Sequence, residues 1–142
     1  MKKILVFLLV LALFSCSQSG PKPVKIGFIG PMTGDAANYG KLMTQAIKIA
    51  VEEKNLSGGI DGHKIELIAE DDEGKPDKAN SAIEKLAGID KVWGIIGAVF
   101  SSSSLAIAPK AQASKIVMIS PSSTHKDLLK KGDFIYRTVI SP

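Results

Sequence analysis

A chain of 142 residues fits one domain or part of a larger one. Its 18 basic and 14 acidic residues are interleaved, and two units of the formal charge of +4 sit on Lys2 and Lys3 at the extreme N-terminus, so no basic stripe for nucleic acid is present. Hydrophobic residues make up 45% of the chain, enough for a globular core, and a single cysteine excludes an internal disulfide.

The chain opens with Lys2 and Lys3, an unbroken apolar run Ile4 to Phe14, and Ser15-Cys16. Charged start, apolar middle and small residue at the cut are the plan of a secretory signal peptide. The run is short of the roughly 20 residues that span a bilayer, and the polar Ser/Gly/Pro stretch at 16–23 reads as a tether rather than as the continuation of a buried helix. A lone exported cysteine is a free surface thiol or serves another purpose. Leu13-Phe14-Ser15-Cys16 resembles a bacterial lipobox, which implies residues 1–15 as a lipoprotein signal peptide and lipidation of Cys16. Several acyl chains together anchor a protein stably to a membrane.

Strand and helix signals then alternate. Val24 to Gly30 is β-rich and closes on glycine. Ala37 to Asn55 has helical spacing, with Met43, Ala46, Ile47 and Ala50 on one stripe. Asn55 to Gly59 stops it. Ile65, Leu67 and Ala69 alternate with polar residues in a second strand. Pro76 suits the first turn of a helix to about Ala87, with Ala79, Ala82, Ile83 and Leu86 inward. Val92 to Gly97 is a third strand, Ser102 to Ala113 a third helix, and Ile116 to Ile119 a short apolar strand of the kind found buried inside parallel sheets. A helical turn at Asp127 to Lys130 and a strand at Phe134 to Val139 complete the series. Alternating βα units predict an α/β fold, a parallel sheet with helices on both faces. Ligands of such sheets bind at the carboxyl ends of the strands.

Four loops lie there: Gly30 to Gly34 leading to Tyr39, Asp71 to Pro76, Ala98 to Ser104, and Ser120 to Thr124. Three carry hydroxyls or small residues, and none carries an arginine, cysteine or histidine at the strand exit. Hydroxyls and helix N-terminal N–H groups suit an anion such as a carboxylate. A phosphate is poorly served. Gly34 to Lys41 has five residues between its glycines instead of four, with Leu42 where a P-loop needs Ser or Thr, and Gly27 to Gly30 is no dinucleotide fingerprint. Ser101 to Ser104 lacks a nucleophile elbow, and Asp71-Asp72-Glu73 has no partner cluster to complete a metal site. No catalytic constellation, metal or cofactor is expected.

From Val24 to Pro142 the chain resembles the N-terminal part of the leucine/isoleucine/valine-type periplasmic binding proteins of ABC transporters. The resemblance is carried by Ile26-Gly27-Phe28-Ile29-Gly30-Pro31-Met32-Thr33-Gly34, Tyr39-Gly40, Gly58-Gly59-Ile60-Asp61-Gly62, Asp71-Asp72, Gly97 with Ser101-Ser102-Ser103, Met118-Ile119-Ser120-Pro121 with Thr124, and Tyr136-Arg137-Thr138. It implies a Rossmann-like first lobe at 24–142 that holds the α-carboxylate and α-ammonium of a small amino-acid-like ligand. By motif, the Ser101 and Thr124 hydroxyls meet the carboxylate, Ser122 offers backbone groups, and Tyr39 lines the side-chain pocket. Each hydroxyl alone also suits a helix N-cap, Ser102 above all. An ABC permease and, through Cys16, a membrane are the implied partners. A sensor lobe for amides, urea or aromatic acids shares the scaffold, and an α/β enzyme is the remaining alternative. The family's second lobe follows Tyr136-Arg137-Thr138, so a sequence stopping at Pro142 is expected to be a fragment or a truncated product, unable to close on ligand.

If Cys16 carries the anchor, Cys16→Ser should move the protein out of the membrane fraction or leave it unprocessed. Mass spectrometry of the wild-type N-terminus checks this, and an intact leader with unmodified Cys16 is the contrary result.

Overall fold

The computed structural model describes residues 21–140. The expected signal peptide and Cys16 lie outside the described residues. Five strands form one sheet: β1 (Val24–Gly30), β2 (Ile65–Asp71), β3 (Gly94–Gly97), β4 (Val117–Ser120) and β5 (Ile135–Arg137). Three helices connect them: α1 (Ala37–Leu56), α2 (Pro76–Lys85) and α3 (Ser101–Ala113). The order is β2-β1-β3-β4-β5, and every pair is parallel. The α/β fold expected from the alternation is the fold found.

The order dictates where the helices lie. A right-handed crossover puts its helix on one face when the chain moves one way along the sheet and on the other face when it moves back. The step from β1 to β2 runs one way and places α1. The steps from β2 to β3 and β3 to β4 run the other way, so α2 and α3 share the opposite face and pack against each other. The reversal sits between β1 and β3, where α/β sheets open a crevice at their carboxyl edge.

The core lies on the α2/α3 side. Ile29, Ile95, Met118 and Ile135 project from four strands to meet Ala79, Ala82, Ile83 and Leu86 of the α2 region and Ile107, Ala108 and Ala111 of α3. The four α2 residues that helical spacing assigns inward are all buried. That helix widens at its end, where a π turn at Leu86–Asp90 follows the last α-helical residue and Lys91 takes a left-handed conformation. The expected helical turn near Asp127 is a 3-10 turn at Leu129–Lys131.

Two expectations change on the other face. β4 is not buried throughout: Met118 and Ser120 point into the core, whereas Val117 and Ile119 each remain 38% exposed. On α1, Ala46 and Ala50 are exposed, Met43 and Ile47 are half-buried, and the buried residues are Gly40 and Thr44. Both departures have one cause. Only α1 covers this face, and it covers the β1/β2 side. Val24, Ile26, Ile65, Ile96, Val117 and Ile119 therefore floor an open apolar groove of about 560 Å3 beside Ile47, Ala50 and Val51. Trp93, 74% exposed, stands at its rim.

Close approaches hold α1 and β3 in place. A Cβ on Gly40 would sit 2.1 Å from the Pro31 carbonyl oxygen, so only glycine lets α1 seat against the first loop. Gly97 has φ +131°, and a Cβ there would meet the Ile29 carbonyl oxygen at 2.3 Å. Asn55 ties the end of α1 to β2, accepting from Ile65 N–H at 2.6 Å and donating to the Ile65 carbonyl at 2.9 Å.

A one-sided core makes a directional prediction. Ile83→Ala should destabilise by about 2–5 kcal/mol, as for a buried aliphatic truncation. Ile119→Ala on the open face should cost less than about 1 kcal/mol. Urea unfolding of both variants measures the contrast.

Candidate functional site

All five strands end at the same edge, and the chemistry collects there. α3 begins directly after the third loop. Its N-cap residue is Phe100, in extended conformation, and no side chain caps the helix. The leading N–H groups of α3 thus keep their positive potential for something other than a protein side chain. Ser101 is the first helical residue, half-buried, and its hydroxyl makes no hydrogen bond among the described residues. Ser102 is not the cap that its position suggests. It lies exposed within the first turn.

The other expected site residues gather around this helix end. Tyr39, in the first turn of α1, is 62% exposed and meets the Phe100 ring edge-on, with centroids 6.4 Å apart. Ser122 donates its hydroxyl to the Val99 carbonyl at 2.6 Å, which locks the fourth loop to the third and leaves backbone groups as what Ser122 can offer a ligand. Thr124 is exposed, and its carbonyl accepts from Arg137 Nη1 at 2.9 Å. The same nitrogen reaches the His125 carbonyl at 3.1 Å. The four loops hold no arginine at their strand exits, but the end of β5 brings one to the same edge.

Beneath these residues lies a buried hydroxyl knot that the sequence reading passed over. The Ala98 carbonyl accepts from Ser104 Oγ at 2.9 Å and from Ser120 Oγ at 2.7 Å. Ser104 Oγ and Ser123 Oγ share a hydrogen bond of 2.5 Å, and Ser123 N–H donates to Ser120 Oγ at 3.1 Å. Ser104, Ser120 and Ser123 are wholly buried. Three short side chains thereby set the separation of the third and fourth loops. A signal for this was present: Ser103 and Ser104 stand four residues before Ile107 and Ala108, on the stripe that faces the core.

The second loop is tied by carboxylates. Asp71 accepts from Met32 N–H at 2.7 Å, Thr33 Oγ1 at 2.5 Å and Glu73 N–H at 2.9 Å. Burial alone would raise its pKa, but the bonds from Thr33, Glu73 and Met32 outweigh burial and hold it below the usual carboxylate value. Asp71 is thus an ionised clasp between the first and second loops.

The result is an open ledge. Neither the groove on the bare sheet face nor a second hollow of about 390 Å3 at the opposite end of the strands, lined by Lys22, Ile60, His63 and Trp93, touches it. Among the described residues no group of His, Cys, Asp and Glu could hold a metal ion, and no helix is long and apolar enough to cross a membrane. A half-site of uncapped N–H groups, hydroxyls and an aromatic edge can bind an anion but has no general base or nucleophile poised for chemistry.

The periplasmic binding protein family model matches residues 23–140. The chain is 35% identical over 109 residues to the Leu/Ile/Val-binding protein BraC3 of Rhizobium johnstonii, covering 77% of this chain and 29% of that one. A leucine-, isoleucine-, valine-, threonine- and alanine-binding protein of Pseudomonas aeruginosa is 30% identical over 132 residues, covering 92% and 35%. Among solved structures, the branched-chain amino acid transporter substrate-binding protein LivJ of Streptococcus pneumoniae, in complex with isoleucine, aligns with a TM-score of 0.81 at 32% identity over 84% of this chain and 34% of that one. An ABC transporter solute-binding protein of Rhodopseudomonas palustris, in complex with 3,4-dihydroxybenzoic acid, aligns at 0.76 and 33% identity over 84% and 32%. The chain spans about a third of the length of these relatives.

The knot is open to test. Ser104→Ala should cost about 1–3 kcal/mol of stability, because it strips a buried hydroxyl partner from Ser123 and from the Ala98 carbonyl. Chemical denaturation measures it, and Ser102→Ala, on the exposed side of the same turn, should be near neutral.

Proposed function

The chain belongs to the periplasmic binding protein family, a family of binding proteins rather than enzymes, and on that premise we propose that it forms one jaw of an extracytoplasmic solute-binding component of an ABC importer. Its ligand is a branched-chain amino acid or a similar small amino acid. The observation that carries this reading is the uncapped start of α3 with the unengaged Ser101 hydroxyl. A carboxylate satisfies both groups at once and gains from the charge at the helix end, whereas a neutral carbonyl can accept the same bonds only more weakly. Thr124 and the backbone of Ser122 supply further contacts from the fourth loop, and Tyr39 walls the side-chain end.

The ABC permease as partner, export, and a lipid anchor on Cys16 belong to the same reading. They are supported by the family and by the N-terminal pattern of charge, apolar run and cysteine.

A second reading has its own support. Tyr39 and Phe100 place an aromatic pair beside Ser101, and one of the aligned relatives holds an aromatic acid. An aromatic acid would put its carboxylate on the same helix end and its ring against Tyr39. The two readings share the anionic anchor and differ in what fills the rest of the site.

The test grafts residues 24–140 in place of the corresponding lobe of BraC3. Calorimetric titration with leucine and with 3,4-dihydroxybenzoate identifies the ligand class. Ser101→Ala and Thr124→Ala should each weaken the preferred ligand by about 1.5–3 kcal/mol, the range for a hydrogen bond to a charged group. Wild-type affinity in both variants, with the fold intact, removes these residues from the site.

A further inference from the structure

Asp72 is wholly buried at the end of β2. Its Oδ1 accepts from Gly74 N–H at 2.8 Å. Its Oδ2 is sealed from solvent and makes no hydrogen bond. Ser103, in the first turn of α3, is also wholly buried, and its hydroxyl completes no hydrogen bond either. The two groups are neighbours, close enough for the hydroxyl to favour the ionised carboxylate. A carboxyl group from the second loop therefore lies buried against the first turn of α3, the turn that also carries Ser101 and the uncapped N–H groups. Buried polar atoms without partners are rare and costly, and here two of them meet at one place.

The helix end has one positive potential to share. A carboxylate behind the first turn and a ligand carboxylate in front of it draw on the same N–H dipoles and repel each other through a medium of low dielectric. We propose that Asp72 is a positioning residue of the ledge: it orients the first turn of α3 through Ser103 and, by gaining or losing its proton, sets how strongly that helix end attracts a carboxylate. The proposal rests on the solute-binding reading of the ledge.

The surroundings favour a titratable device. Burial is the main influence on Asp72 and raises its pKa; repulsion from Asp71 adds to this, while Gly74 N–H and the Ser103 hydroxyl oppose it without prevailing. Asp71 next to it is shifted the other way by its own hydrogen bonds. The remaining charged groups nearby are Glu73, paired with Lys75 and Lys78 at the surface, and Asp77 in the first turn of α2. The first loop at 30–34 and the third loop with the first turn of α3 at 98–104 carry no charged side chain. Because the folded-state pKa of Asp72 lies above the unfolded value of about 3.9, the native state holds this proton more tightly. The cost of a buried charge is present above the folded pKa and disappears as pH falls below it. An amino acid keeps its own carboxylate ionised through that window, so its affinity should rise as pH falls through the Asp72 titration.

The test uses the full chain, with leucine and acetate as probes, followed by NMR. Carboxyl carbon shifts give the titration of Asp72, and the amides of Ser101 to Ser103 should follow its midpoint rather than that of Asp71. Asp72→Asn should abolish this dependence. It should bind leucine about three- to tenfold more tightly than the parent at pH 7, the effect of one charge at a helix end, and this advantage should shrink as pH falls through the Asp72 titration. Asp72→Ala removes the contact with Ser103 and the bond from Gly74 N–H as well as the charge, and should not show the gain. Ser103→Ala, a milder change, should keep the fold and raise the Asp72 midpoint. Leucine affinity at pH 7 that is unchanged or weakened in Asp72→Asn overturns the proposal, as do Ser101 to Ser103 amides indifferent to Asp72. If the isolated jaw binds neither leucine nor acetate in any variant, the same titrations are run in the BraC3 graft; absence of binding there refutes the solute-binding reading, and the amide titration alone then decides whether Asp72 acts through this turn.

Discussion

Five parallel strands must all deliver their carboxyl ends to one edge, and that constraint organises everything else in this chain. Tyr39, Ser101, Ser122, Thr124 and Arg137 come from four separate segments, the first turn of α1, the start of α3, the fourth loop and β5, yet the sheet brings them to a single rim. The strand order β2-β1-β3-β4-β5 adds the second half of the constraint. With right-handed crossovers, only one of the helical connections can lie on the α1 side. The reversal between β1 and β3 and the uncovered sheet face beyond α1 are thus two results of the same chain path.

The serines show how such a rim is kept rigid without charged groups. Four consecutive serines divide by geometry: Ser101 and Ser102 look outward, whereas Ser103 and Ser104 are buried. Ser104 joins Ser120 and Ser123 around the Ala98 carbonyl and makes two strand-end loops one body. Hydroxyls are suited to this because they donate and accept within a small volume. A binding surface held by such bonds loses little freedom when it meets a solute, which favours affinity.

Much of this was legible in the residues. Periodicity placed the first two helices and β2, apolar runs and glycine boundaries placed the rest, and the inward set Ala79, Ala82, Ile83 and Leu86 is the set that is buried. The loops that form the rim could be read because strand ends and glycines mark them. Two things escaped. The exposure of Val117 and Ile119 depends on which face each crossover takes, which is a property of strand order and invisible in an apolar tetrapeptide. The roles of Ser104, Ser120 and Ser123 depend on contacts 16 to 22 residues apart. Read locally, a serine run is a cap or a ligand. Only the apolar residues four positions later hint that half of it faces inward. Arg137 escaped for a similar reason, since its partners Thr124 and His125 lie across the β4–β5 connection.

The open sheet face has a practical consequence through its one aromatic sentinel. Trp93 is the only tryptophan in the chain and stands largely in water at the rim of the apolar groove. An indole in that setting emits at the red end of its fluorescence range and is readily quenched by iodide or acrylamide. Anything that comes to rest on the groove, whether another part of a longer polypeptide or a second molecule, removes water from that ring. A blue shift in emission with loss of quenching would then follow the covering of this face in real time, with no label added and with the loops at the other end of the strands left undisturbed.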